Sequence, residues 1–365
     1  MIILFESPLP LVANEGQYNE SRDTVWNFLI RVFFLPLAMH SIKKLQALFH
    51  PERYHGWGRT KKYFEGWYYK IVSADEKHAF AIIPGIAMDE AGNQHAFIQL
   101  LDGKAQSAEY IRFPADAFRA ESGRFSVHLA DNVFTLHKMY LNLETAKGEL
   151  SINQVVPWPN SITSPGIMGP FAFVPFMECY HGVVSMNHSL GGALVIGGKH
   201  IDFSGGRGYI EKDWGHSFPS AYIWMQSNHF AAPGISFKAS VAKIPWLGSS
   251  FTGFIAGLYF NRQLIQFTTY NGTRLIRSLV DHEKVELAME NRKHRLEVLV
   301  KRNAATELAS PISGFMDGRI SESMTSEIGL ILKDKKSGKT LFHDIGKNAA
   351  LEVAGKIDEI IVMEQ

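Results

Sequence analysis

Residues 208–230 read GYIEKDWGHSFPSAYIWMQSNHF, with acidic, amide and aromatic side chains interleaved at a spacing of two. In an extended strand residues i, i+2 and i+4 share a face. Tyr209, Glu211 and Asp213 therefore line one face, and Ile210, Lys212 and Trp214 the other. Past the turn at Gly215–Pro219 the same period groups Tyr222, Trp224, Gln226 and Asn228. Two such strands predict an all-β architecture with its chemistry at their junction.

The chain on either side reads the same way. Upstream, YFEGWYYKIV at 63–72, then 78–83 and 95–101, are short β-type runs split by Asp, Gly and Asn, and 125–129 with 133–137 forms a hairpin pattern. Downstream, strands are predicted at 235–243, 251–259, 264–270, 284–289, 294–301, 326–332 and 339–342. Between them, Val156–Val174 carries PWP, SPG and GPF in quick succession and reads as a long irregular loop, the kind that serves as a lid. A shift of 157 lays Trp67 on Trp224, Phe80 on Phe237, Phe97 on Phe254, Ile98 on Ile255 and Phe113 on Tyr270. Such a repeat predicts two similar antiparallel units, each a nearly closed meander able to enclose an apolar ligand.

Composition sets limits. The 25 Phe, 12 Tyr, 7 Trp and 31 Gly favour pleated sheets and tight turns over helix bundles. A formal net charge of +1 and the lack of a basic stripe argue against a nucleic-acid partner. Cys179 is the only cysteine, so nothing calls for an oxidising compartment, and the cytoplasm is the expected location. The start lacks the positive n-region of a signal peptide. The apolar run VWNFLIRVFFLPLAMH at 25–40 falls short of the ~20 residues a spanning helix needs. It reads as a docking helix, as an upstream extension preceding Met39, or as an interfacial helix giving residues 25–45 peripheral membrane contact. The expected organisation is an N-terminal extension (1–50) and two β units (51–213 and 214–365).

Several blocks, in order, resemble the tocopherol cyclase family: YFEGWYYK at 63–70, IIPGI at 82–86, SPGIMGPF at 164–171, PFMECYHGVVS at 175–185, GYIEKDWGHSFP at 208–219 and IWMQSNHF at 223–230. The resemblance runs from about Tyr63 to LEVAG at 351–355. It implies two lipocalin-like β units, similar to carotenoid 1,2-hydratase and AttH-like proteins. The implied reaction closes a chromanol ring: the first double bond of the tail of a prenylated hydroquinone is protonated, and the phenol oxygen captures the cation. A lipophilic prenylquinol or other isoprenoid would be the substrate, and the chemistry needs no cofactor.

That chemistry requires a neutral acid, an apolar pocket and electron-rich walls. A carboxyl buried among aromatics keeps its proton near neutral pH, which makes Asp213 the expected acid, with Glu211 beside it; Glu65 and Glu178 are further candidates. Trp67, Trp214 and Trp224 are expected to stabilise the cation. Tyr68, Tyr180, His181, Tyr209, Gln226 and Asn228 are candidates for holding the substrate. Each also has a plain structural reading: Asp213 as a turn residue, the tryptophans as core, the amides as partners for edge backbone. The 15 histidines show no metal-ligand spacing, GGRG at 205–208 lacks the Lys-Ser/Thr of a phosphate loop, and no GxSxG elbow is present. The competing functions are a hydratase, in which water captures the same cation, and a lipocalin-like carrier that binds without reacting.

Overall fold

A computed structural model describes Lys43 and residues 46–364. The apolar run at 25–40, and all of 25–45 except Lys43, lie outside the described residues. Among the described residues no helix is long and apolar enough to cross a membrane.

The described chain folds into two antiparallel sheets of 12 and 10 strands. The first runs Ser107–Pro114, Gln94–Asp102, Ala79–Met88, Tyr63–Val72, Arg207–Gly215, Cys179–Ile196, Ala146–Val156, and on through short strands to Phe118–Ala120. The second runs Gln263–Thr268, Ser249–Phe260, Ser236–Trp246, Ala221–Ser227, Thr340–Gly355, Phe315–Asp334, His294–Lys301, Lys284–Glu290, Arg274–Val280. Both have the same plan: four strands of a meander, then a chain-distant strand closing against the first of them. Each sheet curls over its own core. In the first, Trp67 stacks on Phe118 and Phe125, which belong to the opposite end of the strand order. In the second, Phe237, Phe267, Val298 and Leu330 pack together.

The shift of 157 therefore matches strand to strand, yet it does not keep the faces. Phe80 and Phe237 both point into their own cores. Trp67 lies in the first core, while Trp224 belongs to a third cluster, between the sheets. A slip of one residue in a strand exchanges its faces; Tyr68, not Trp67, occupies the place of Trp224. Both unit interiors are filled by side chains, so the cavity lies between the units rather than inside either.

Strand lengths depart from expectation at the end of the chain. The strands expected at 326–332 and 339–342 extend over Phe315–Asp334 and Thr340–Gly355, and Cys179–Ile196 is an 18-residue strand. Register shifts interrupt the pairing of these long strands, at Val183–His188 and at Ser323–Ile328, and break the regular apolar alternation that marks a strand. The Pro-rich stretch contains a 3-10 segment, Gly166–Phe173, kinked at Gly169.

Candidate active site

The strand Arg207–Gly215 is buried on both faces, and the faces differ. Toward the first core, Lys212 Nζ meets Glu65 Oε1 at 2.5 Å with both side chains fully buried. Lys212 also lies 5.0 Å from the Trp67 ring centroid and 4.5 Å from that of Trp214. Glu65 accepts the backbone N–H groups of His55 and Gly56 and the Tyr63 hydroxyl. Burial would push the Glu65 carboxyl up, but Lys212 and His55 hold it below the ordinary carboxylate value. Glu65 and Trp67 thus belong to an ion-paired latch that fastens residues 53–56 to the first unit.

The opposite face opens on a cleft between the sheets. Its walls come from both units: Phe64, Tyr68, Ile83, Phe97, His181, Glu211 and Asp213 from the first, and Tyr222, Trp224, Ala242, Ile255, Leu308 and Glu352 from the second. Met168 and Phe171 of the 3-10 segment cover one side. The cleft and its open mouth together enclose about 1310 Å³ not filled by protein atoms, solvent at the mouth included.

Two groups of acids meet there. In the first, His181 Nδ1 is 2.7 Å from Asp213 Oδ1, and His181 Nε2 is 3.5 Å from Glu211 Oε2. Tyr209 O–H and Trp224 Nε1–H both donate to Glu211 Oε2, at 2.5 and 3.0 Å. Trp224 reaches it from the other sheet. Burial pushes the Glu211 carboxyl up, and Asp213 adds to this, while His181 and Lys238 oppose it. Asp213 Oδ2 has no hydrogen-bond partner among the described residues. One ligand atom each from His181, Glu211 and Asp213 lie within 4.8 Å of one another, a donor set that also suits a divalent cation; here the imidazole itself spans the two carboxyls.

The second group, Glu322 and Glu352, did not stand out in the sequence. They face each other across Phe315–Asp334 and Thr340–Gly355. The Tyr68 hydroxyl donates to Glu322, and Tyr222 O–H donates to Glu352 Oε2 at 2.8 Å. Behind them, Lys70 Nζ is held by Gln226 Oε1 at 2.8 Å and the Asn348 carbonyl at 2.5 Å. Burial brings Lys70 down to about 7 and Lys238 down to about 8.

Other candidates fall elsewhere. Tyr209 is buried beneath the cleft, where it holds Glu211. Gln226 and Asn228 share the Trp224 face but lie beyond the cleft, Asn228 Nδ2 donating to the Gly208 carbonyl at 2.8 Å. Tyr180 and Trp214 stack at 5.6 Å and line an adjoining outer cavity with His55, Arg59, His216 and the Pro-rich stretch. His181, Met168 and Met177 border both cavities. Glu178 lines neither; its carbonyl accepts His216 N–H and Ser217 N–H. A Cβ at Gly215 would run into that carbonyl, so only glycine lets the chain turn here toward the second unit.

The chain matches the protein family described as "Tocopherol cyclase-like" over residues 129–355. It is similar to "Probable tocopherol cyclase, chloroplastic" of Oryza sativa subsp. japonica, 24% identical over 227 residues, covering 59% of this chain and 48% of the relative. It is likewise similar to "Tocopherol cyclase, chloroplastic" of Zea mays, 24% identical over 230 residues, covering 59% and 47%. The chain spans about half the length of the curated relatives it matches. Among solved structures, CghA with Sch210972 superposes with a TM-score of 0.52 at 9% identity, covering 80% of this chain and 89% of that one. A second crystal structure of CghA gives 0.50 at 10% identity, covering 80% and 88%. At these identities the likeness is one of fold, two lipocalin-like antiparallel units.

Proposed function

The chain belongs to the tocopherol cyclase-like family, and from that premise we propose that its inter-sheet cleft closes a chromanol ring on a prenylated hydroquinone. The observation that carries this reading is the convergence of carboxyl groups from both units in one apolar, aromatic-walled cleft. The reaction needs two proton transfers. One puts a proton on the tail alkene and leaves a tertiary cation; the other removes the phenolic proton as the phenol oxygen closes the ring. Substrate and product are isomers, so no oxidant or reductant enters.

Each need has a group at the cleft. The faces of Tyr68, Tyr222 and Trp224 supply electron density for the cation, an attraction of about 2 kcal/mol or more when water is excluded. Holding the phenol oxygen against the cation is a proximity effect of up to ~7–11 kcal/mol. Asp213 and His181 form a proton-transferring pair whose carboxyl oxygen Oδ2 is free to meet substrate, and Met168 and Phe171 shield that contact from solvent.

The test uses purified protein with a phytyl hydroquinone in deuterated water. A product isomeric with the substrate apart from one deuterium on carbon supports the cyclase. A product heavier by water makes the protein a hydratase, and a ligand bound but returned unchanged makes it a carrier. Asp213→Asn should bind the substrate as tightly as the parent protein and lose turnover; an unchanged rate removes Asp213 from the chemistry.

A further inference from the structure

We propose that Glu352, paired with Glu322, is the proton donor to the alkene, and that Asp213 with His181 takes up the phenolic proton. This rests on the cyclase reading and assigns the direction of its two proton transfers.

The geometry is that of two acids holding a proton between them. Glu322 and Glu352 sit at facing positions of neighbouring strands, Glu352 lining the cleft and Glu322 meeting the hydroxyl of Tyr68 in its wall. Glu322 is 1% exposed, and its Oε2 has no hydrogen-bond partner. Among the described residues neither acid forms an ion pair. Two adjacent carboxyls in an apolar site without a paired cation cannot both be ionised. The charged and titratable groups around them are Tyr68 and Lys70 on one strand, Glu211 and Asp213 on another and Tyr222 on a third, while Lys238 on a fourth acts on Glu211 and Asp213. The nearest cation, Lys70, is occupied by Gln226 and Asn348. Burial raises Glu322 to about 8, and burial together with the neighbouring Glu322 raises Glu352 well above the ordinary carboxylate value. By contrast Asp213 has the His181 imidazole at 2.7 Å, a ring nitrogen to which a proton taken up by the carboxyl can pass. A carboxyl pair with no imidazole at hydrogen-bond distance suits the donor, and a carboxyl beside an imidazole suits the acceptor.

In the forward step the Glu352 O–H bond breaks as the C–H bond forms, leaving the tertiary cation and one negative charge on the glutamate pair. The Tyr222 and Tyr68 hydroxyls already donate to that pair and stabilise its charge. A phenol lone pair then forms the C–O bond, the phenolic O–H bond breaks, and its proton goes to Asp213. Exchange with solvent at the cleft mouth returns Asp213 and the glutamate pair to their starting states.

The experiment measures kcat against pH for the full chain with a phytyl hydroquinone, together with substrate affinity and circular dichroism. The donor is competent only while protonated, so activity should be present at neutral pH and be lost on an alkaline limb as the glutamate pair ionises. Glu352→Gln should lower kcat about 100-fold or more at unchanged affinity. Glu322→Gln removes the like charge that raises Glu352, so it should move the alkaline limb to lower pH, which a merely structural role would not do. If Asp213→Asn is inactive while Glu352→Gln keeps the parent kcat, this assignment is overturned and the cyclase reading stands. If the parent protein turns over no prenylated hydroquinone, the cyclase reading itself falls. Should Glu352→Gln fail to fold, Glu322→Gln decides, and an unmoved alkaline limb overturns the assignment.

Discussion

The two walls of the cleft are built on matching registers and carry different chemistry. On the first, Tyr68 stands opposite Glu211, and Glu211 opposite Val183. On the second, Trp224 stands opposite Glu352, and Glu352 opposite Glu322. Two residues further along, the first wall has Asp213 facing His181, where the second has Ala354. One scaffold thus surrounds a buried glutamate in two ways. In the first unit a histidine shares it with an aspartate; in the second its neighbour is another glutamate with no base beside it. The fold brings carboxyls to the cleft from both units, and the adjacent strand gives each a different neighbour.

The largest expected effect comes from erasing that difference on the first wall. His181→Leu leaves Asp213 and Glu211 without the imidazole between them, making the wall resemble its acid-only counterpart. Turnover should fall by about 100- to 10,000-fold, the usual contribution of a positioned proton-transfer group, while Tyr209 and Trp224 still hold Glu211. A parent-like rate in a stopped assay of ring closure would break the comparison, since the two walls would then be chemically equivalent.

A second contrast lies within a single strand. On Arg207–Gly215, Lys212 is ion-paired on the core face, whereas Glu211 on the cleft face accepts hydrogen bonds from Tyr209 and Trp224. Removing one member of a buried pair leaves an uncompensated charge and costs about 3–5 kcal/mol. Lys212→Met should lose about that much stability in denaturant unfolding followed by the fluorescence of the adjoining tryptophans. Acid should act in the same direction. The folded Glu65 carboxyl sits below its ordinary value of 4.5, so its contribution is present above the unfolded value and is lost as pH falls through the folded one. A variant as stable as the parent would mean that the latch contributes nothing net.

The sequence carried the junction well and the far wall badly. The alternation of Tyr209, Glu211 and Asp213, and of Tyr222 and Trp224, is the pattern of strands lining an interface, and these residues do meet across it. His181 is 32 residues from Asp213, and only the pairing of Cys179–Ile196 with Arg207–Gly215 joins them. Glu322 in ISESM and Glu352 in LEVAG look like ordinary solvated positions, because alternation within a strand does not tell which face meets a second sheet. The same ambiguity put Trp67 among the cation walls, when a one-residue difference in facing buries it in the first core. Glu65 was legible as a buried acid in an aromatic strand, but its partner Lys212 lies 147 positions away. Burial alone would have raised it, and the lysine reverses the sign.

The smallest expected effect concerns Asn228, which shares a strand face with Trp224 and so was expected to hold substrate. The strand Ala221–Ser227 ends just before it, and at 1% exposure it is occupied with the seam: Nδ2 donates to the Gly208 carbonyl and to Asn187 Oδ1, and its own carbonyl accepts from Arg207. Those contacts tie the start of the first unit's last strand to the end of the second unit's first. Asn228→Ala should therefore cost about 1–3 kcal/mol of stability through the acceptors it leaves unpaired, with KM and kcat for a phytyl hydroquinone unchanged. A raised KM at parent-like stability would extend the substrate site past Trp224. A cleft that long would place the tail along the seam, and the two walls would differ in what they bind as well as in how they move protons.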